Sequence, residues 1–70
     1  MMPLTLARTG ESAQIQKVGG NPETRRFLEN LGFVPGEQVR VVSENNGNLI
    51  VSIKDARVAI SREMAGRILI

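Results

Sequence analysis

The chain has no cysteine, no histidine, no tryptophan and no tyrosine among its 70 residues, and only two phenylalanines. Each absence closes a route to function. Without cysteine there is no disulfide framework, no thiolate metal cluster and no thiol nucleophile. Without histidine the commonest general base and the commonest metal ligand are missing. Without tryptophan or tyrosine the chain lacks the aromatic groove that reads polyproline segments, and the stacking platforms that hold single-stranded nucleic acid. Phe27 and Phe33 do not replace them, because both are expected to be taken up by a helix face and by its cap.

Charge of one sign is also scarce. Nine Lys and Arg against seven Asp and Glu leave a net charge of +2. The cations are spread along the chain without a basic run, so no nucleic-acid partner is expected. Glu29, Glu37, Glu44, Asp55 and Glu63 are scattered over segments that read as exposed, and none has the alternating spacing of a calcium loop. No catalytic residue is assigned and no enzymatic activity is expected. No stretch approaches the roughly 18 apolar residues of a membrane span, and MMPLTLART has no basic region followed by a long apolar run. A soluble cytoplasmic protein without direct membrane insertion is the expectation. A chain of this length makes one domain, residues 1–70, which buries about 60% of its unfolded surface.

The elements that are present are short and clearly punctuated. Residues 12–18 alternate, with Ala13, Ile15 and Lys17 on one side, and read as a strand with an irregularity before Val18. Leu4 and Leu6 precede it as candidates to cover an open end of the core. Gly19-Gly20 breaks the strand. Glycines before a helix can admit a phosphate, but no P-loop Lys-Ser follows, and a tight strand-to-helix turn accounts for them. Asn21 is a good helix N-cap and Pro22 suits the first helical position. A helix over residues 22–31 places Phe27, Leu28 and Leu31 on one face and Arg25 and Arg26 away from it. Gly32 then fits the left-handed position of a Schellman cap, with Leu28 and Phe33 in contact. Val34-Pro35-Gly36-Glu37 fits a type II turn, Pro second and Gly third.

Residues 37–44 read as the next strand, with Val39 and Val41 on one face. Asn46-Gly47 is the strongest hairpin signal, since both residues tolerate positive φ. Residues 49–54 return with Leu49, Val51 and Ile53 inward. Asp55-Ala56 makes a second turn, and residues 57–61 follow with Val58 and Ile60 inward. Ser61 caps a helical turn over residues 62–66, and residues 67–70 close the chain as a strand. Five short strands in so small a chain curl into a partly open barrel of SH3-like type, mainly β, with one inserted helix and a helical turn before the last strand.

The run Arg25-Arg26-Phe27-Leu28-Glu29-Asn30-Leu31-Gly32-Phe33-Val34-Pro35-Gly36 resembles the RRL.ELG..PG signature of the FeoA family. Gly10, Ile15 and Gly19-Gly20 upstream fit the pattern, as do Val39, Val41, Val58-Ala59-Ile60, Ala65, Ile68 and Ile70 downstream. Asp55-Ala56-Arg57 departs from it, where many members carry a glycine. The resemblance implies an SH3-like barrel and a role as accessory or regulator of ferrous iron transport. The implied partner is a FeoB-type membrane permease with a cytosolic GTPase domain, which would hold the protein at the inner membrane from the cytoplasmic side. Arg25, Arg26, Val34 and Pro35 are the candidate partner contacts, and Gly32, Gly36, Asn46 and Gly47 the structural signature. A similar module in iron-dependent repressors implies the alternative, a metalloregulatory or self-associating domain, and a homo-oligomer stays open with it. The family is labelled as metal-binding. Here Fe2+ or another divalent ion would find only oxygen ligands, so no cofactor is expected and no metal ligand is assigned.

Overall fold

The breaks rich in glycine and asparagine divide the chain as their chemistry predicts. The computed structural model describes residues 1–70. A 3-10 turn at Leu4–Leu6 leads to β1 Ser12–Gln14, β2 Lys17–Val18, α1 Pro22–Leu31, β3 Gln38–Asn45, β4 Asn48–Ile53, β5 Ala56–Ser61, α2 Arg62–Ala65 and β6 Ile68–Leu69. Four strands form one antiparallel sheet in the order β1-β3-β4-β5, and β2 pairs with β6 in a second. This is the mainly β, SH3-like architecture with an inserted helix, left open between the two sheets.

There are six strands, not five, because the expected strand over residues 12–18 is broken at Ile15 and Gln16. The Ile15 N–H donates to the Glu37 carbonyl (2.9 Å) and its own carbonyl accepts from Gly36 N–H (2.8 Å), so it still belongs to the large sheet. The Gln16 N–H already donates to the Leu69 carbonyl of the small sheet, at 2.7 Å. One segment therefore serves both sheets, and its corner resets the alternation. Ile15 and Val18 are buried while Lys17 is exposed, whereas unbroken alternation puts Lys17 beside Ile15.

Local chemistry fixes each remaining junction. Asn21 Oδ1 accepts from the Thr24 N–H at 2.8 Å, and Pro22 occupies the first turn of α1, where its missing donor is not needed. At the other end Gly32 adopts φ +110°, its N–H donating to the Glu29 carbonyl and that of Phe33 to Leu28, both at 3.0 Å. Those two bonds are the Schellman pair. Glu37 N–H then donates to the Val34 carbonyl at 3.1 Å around Gly36, φ +94°, as a type II turn requires. Asn46 and Gly47 both take positive φ and join β3 to β4. The next turn lies one residue earlier than expected, at Lys54-Asp55, with Ile53 opposite Ala56 and a positive φ on Lys54. Lysine carries no turn signature, which is why the sequence pattern pointed past it. Ser61 Oγ accepts from Met64 N–H and caps α2.

Thirteen hydrophobic residues form the core, and no polar or charged residue is buried with them. Phe33, Leu28, Val51, Ala65 and Ile68 are fully enclosed. Two expectations fail at its margin. Phe27 does not share the Leu28 face but is 47% exposed. The inward stripe of α1 is Thr24, Leu28 and Leu31, and Phe27 stands about 100° around the helix from Leu28. Leu4 covers the end of the core as expected, but Leu6 points to solvent at 65% exposure.

Candidate functional site

An all-apolar interior leaves no acid, base or nucleophile held away from water, so the polar chemistry of the chain is on its surface. Arg25 and Arg26 lie on the solvent side of α1. Both are exposed and neither joins an ion pair; the pairs present are Lys54 with Glu37 and Arg62 with Glu44. Arg26 borders a shallow depression of about 540 Å³ with Pro22, Glu23, Phe27 and Asn30. The half-exposed Phe27 ring thus lies beside an arginine that forms no ion pair. An aromatic next to an arginine is the composition enriched where proteins bind proteins.

The corner after α1 is the second candidate contact. Val34 is half-buried and Pro35 exposed. Its backbone is pinned from behind, since Gly36 N–H donates to Ile15 and Gln14 Nε2 donates to the Gly36 carbonyl at 3.4 Å. A tip fixed in this way loses little freedom when something docks on it. Val34 and Pro35 do not border the depression beside Arg26, so the two candidate contacts stand on separate elements. Gly32, Gly36, Asn46 and Gly47 all take positive φ and act on the backbone alone.

Phe27 is the surface residue that sequence reasoning missed. Its signal was available in the phase of the helix, because Thr24, Leu28 and Leu31 already complete an i, i+4, i+7 stripe. Exposing Phe27 also removes one reason given against aromatic recognition, although tryptophan and tyrosine remain absent. Before α1, Gly20 sits with Arg67 and Thr24 carbon atoms 3.5–3.6 Å from where a Cβ would be, and the Asn21 carboxamide takes the Thr24 donor. No three carboxylate, His or Cys side chains lie close enough together to hold a metal ion.

A small SH3-type barrel with a dry apolar core keeps all its charged groups at the surface, two of its cations on α1. The FeoA domain profile matches residues 2–70, and the chain belongs to the FeoA family. It is 30% identical over 70 residues to "Putative Fe(2+) transport protein A" of Methanocaldococcus jannaschii, covering 100% of this chain and 85% of that protein. Stenotrophomonas maltophilia FeoA complexed with zinc, described as a procaryotic SH3 domain protein, superposes with a TM-score of 0.86 at 31% identity, over 99% of this chain and 88% of that one. A manganese-dependent transcriptional repressor shares the fold at a TM-score of 0.85 and 22% identity, with this chain covering 38% of it.

Proposed function

We propose that the chain is an accessory protein of ferrous iron transport that docks on the cytosolic GTPase domain of a FeoB-type permease. Membership of the FeoA family over residues 2–70 carries the reading. A relative named for Fe(2+) transport supports it. The docking contacts are Arg25 and Arg26 on α1 with Val34 and Pro35 at the corner, and their uncompensated cations complement an acidic surface. The protein acts without catalysis and without a metal of its own. It shifts the nucleotide-dependent states of the permease by its difference in affinity for them, and by no more than that difference. No helix is long and apolar enough to cross a membrane, so on this reading the partner supplies the membrane attachment.

The test is binding of the purified chain to the purified GTPase domain in its GDP-bound and GTP-analogue-bound forms, beside Fe2+ uptake in cells deleted for this chain. The expected result is saturable binding that differs between the two nucleotide forms, with reduced uptake on deletion. Absence of binding together with unchanged uptake overturns the reading. Capture of a DNA-binding metalloregulator instead of the GTPase domain replaces it with a repressor-type role.

A further inference from the structure

β5 is the last strand of the large sheet and has no neighbour on its outer side. It pairs with β4 through six consecutive residues without a register shift. The two-residue turn at Lys54-Asp55 closes on Ile53 and Ala56, the pair that a hairpin of this length hydrogen-bonds. Alternation makes Val58 and Ile60 the next bonded residues and turns the N–H and C=O groups of Arg57 and Ala59 away from β4. No other backbone bond reaches either residue, and both are exposed. Proteins usually blunt such an edge with several charged side chains, proline, a bulge or an inward-pointing charge. β5 has no proline, no bulge, and Arg57 as its one charge.

Charge on the same face says what fits there. Cross-strand register sets Ser12, Arg40, Ser52 and Arg57 in one row across the four strands. Arg40 and Arg57 are two strands apart, about 10 Å, with Ser52 between them. Both are exposed and neither has a carboxylate partner. β5 itself contains no acidic residue, so a second copy pairing along it brings no counter-charge. Registers centred on Arg57 or Val58 would also bring the two Arg57 side chains together on one face.

We propose that the outer edge of β5 is a docking site for an extended, acidic segment of a partner protein. The segment adds as a fifth strand to the large sheet and sets a carboxylate beside Arg57. Backbone bonds to Arg57 and Ala59 supply affinity, and Arg57, the cation on the strand the segment would join, selects an acidic side chain. The site uses neither Arg25 and Arg26 nor the Val34–Pro35 corner, so it stands or falls apart from the docking contacts proposed above.

The probe is the blocked hexapeptide Thr-Val-Glu-Val-Thr-Val, with a counterpart carrying Lys in place of Glu, followed by amide NMR and hydrogen exchange on the full chain. The Glu peptide is expected to shift and protect the Arg57 and Ala59 amides, and the Lys peptide to bind at least about threefold more weakly, the scale of one exposed charge pair. Arg57→Glu inverts that preference. Ala59→Pro removes an outward N–H that the β4 ladder does not use, and abolishes binding. If the proline variant fails to fold, the inversion in Arg57→Glu decides alone. The proposal is overturned by shifts elsewhere on the chain, by equal binding of both peptides, or by no binding at millimolar peptide. It is equally overturned if the same amides become protected with rising protein concentration alone, which assigns the edge to a second copy of the chain.

Discussion

The N–H of Phe33 donates to the carbonyl of Leu28 at 3.0 Å across Gly32, and both side chains are fully buried. That bond ends the helix and delivers the next apolar residue into the core in one step. It depends on Gly32 holding φ +110°. Gly32→Ala is expected to cost about 1–2 kcal/mol, the penalty of a left-handed backbone on an L side chain. The cost is conformational, because the nearest atom to the added Cβ is Lys54 Cε at an ordinary 3.8 Å. Urea unfolding reads it as a lower midpoint at unchanged slope. A variant that unfolds with the wild type would show that the cap contributes nothing.

The two phenylalanines should separate stability from surface. Phe33→Ala empties a fully buried site and is expected to cost about 3–5 kcal/mol. A domain of this size has only about that much to lose, so the variant should be largely unfolded by circular dichroism at 25 °C. Phe27→Ala removes a ring that is 47% exposed and should cost less than about 1 kcal/mol. Equal destabilisation by the two substitutions would place Phe27 in the core after all.

What was legible in the sequence is local chemistry. Asn21-Pro22, Gly32, Pro35-Gly36 and Asn46-Gly47 each have one good conformational reading, and each junction formed as read. What was not legible depends on contacts distant in sequence. The break at Ile15 exists because Glu37 and Gly36 hold one side of the corner while Leu69 holds the next residue, and no pattern within residues 12–18 encodes those partners. Phe27 is a question of helix phase, decided by where Leu28 meets the sheet. The candidate contacts follow the same division. The turn chemistry of the corner was readable from Val34-Pro35-Gly36, but the unpaired state of Arg25 and Arg26 depends on where every carboxylate lies after folding.

Lys54 tests the turn that the pattern placed one residue late. It holds φ +53° without the freedom of glycine. Lys54→Gly should raise stability by about 0.5–1 kcal/mol, the relief of left-handed strain less the extra chain entropy of glycine. The ion pair given up, Lys54 Nζ to Glu37 at 3.9 Å, is exposed and worth little against that gain. Thermal unfolding should rise by a few degrees. A lower midpoint would mean that the lysine stem, which lies over Gly32, contributes more packing than its turn costs.

Reversing both helix arginines separates folding from docking. Arg25 and Arg26 make no ion pair, so Arg25→Glu with Arg26→Glu breaks no contact within the chain. Arg25 closes the first turn of α1, where the helix dipole favours a negative charge, and this offsets the small like-charge repulsion the new carboxylates meet from Glu23 and Glu29. Stability should therefore stay within about 0.5 kcal/mol of the wild type. Association with the permease GTPase domain should weaken by at least about tenfold, mainly through a slower on-rate, and depend less on salt. Wild-type binding and normal Fe2+ uptake in the double variant would clear this helix face of any part in docking, leaving the Val34–Pro35 corner to carry it. Weakened binding accompanied by a lowered unfolding midpoint would instead mark the arginines as structural, since an uncompensated pair on a solvent face has no stability to lose.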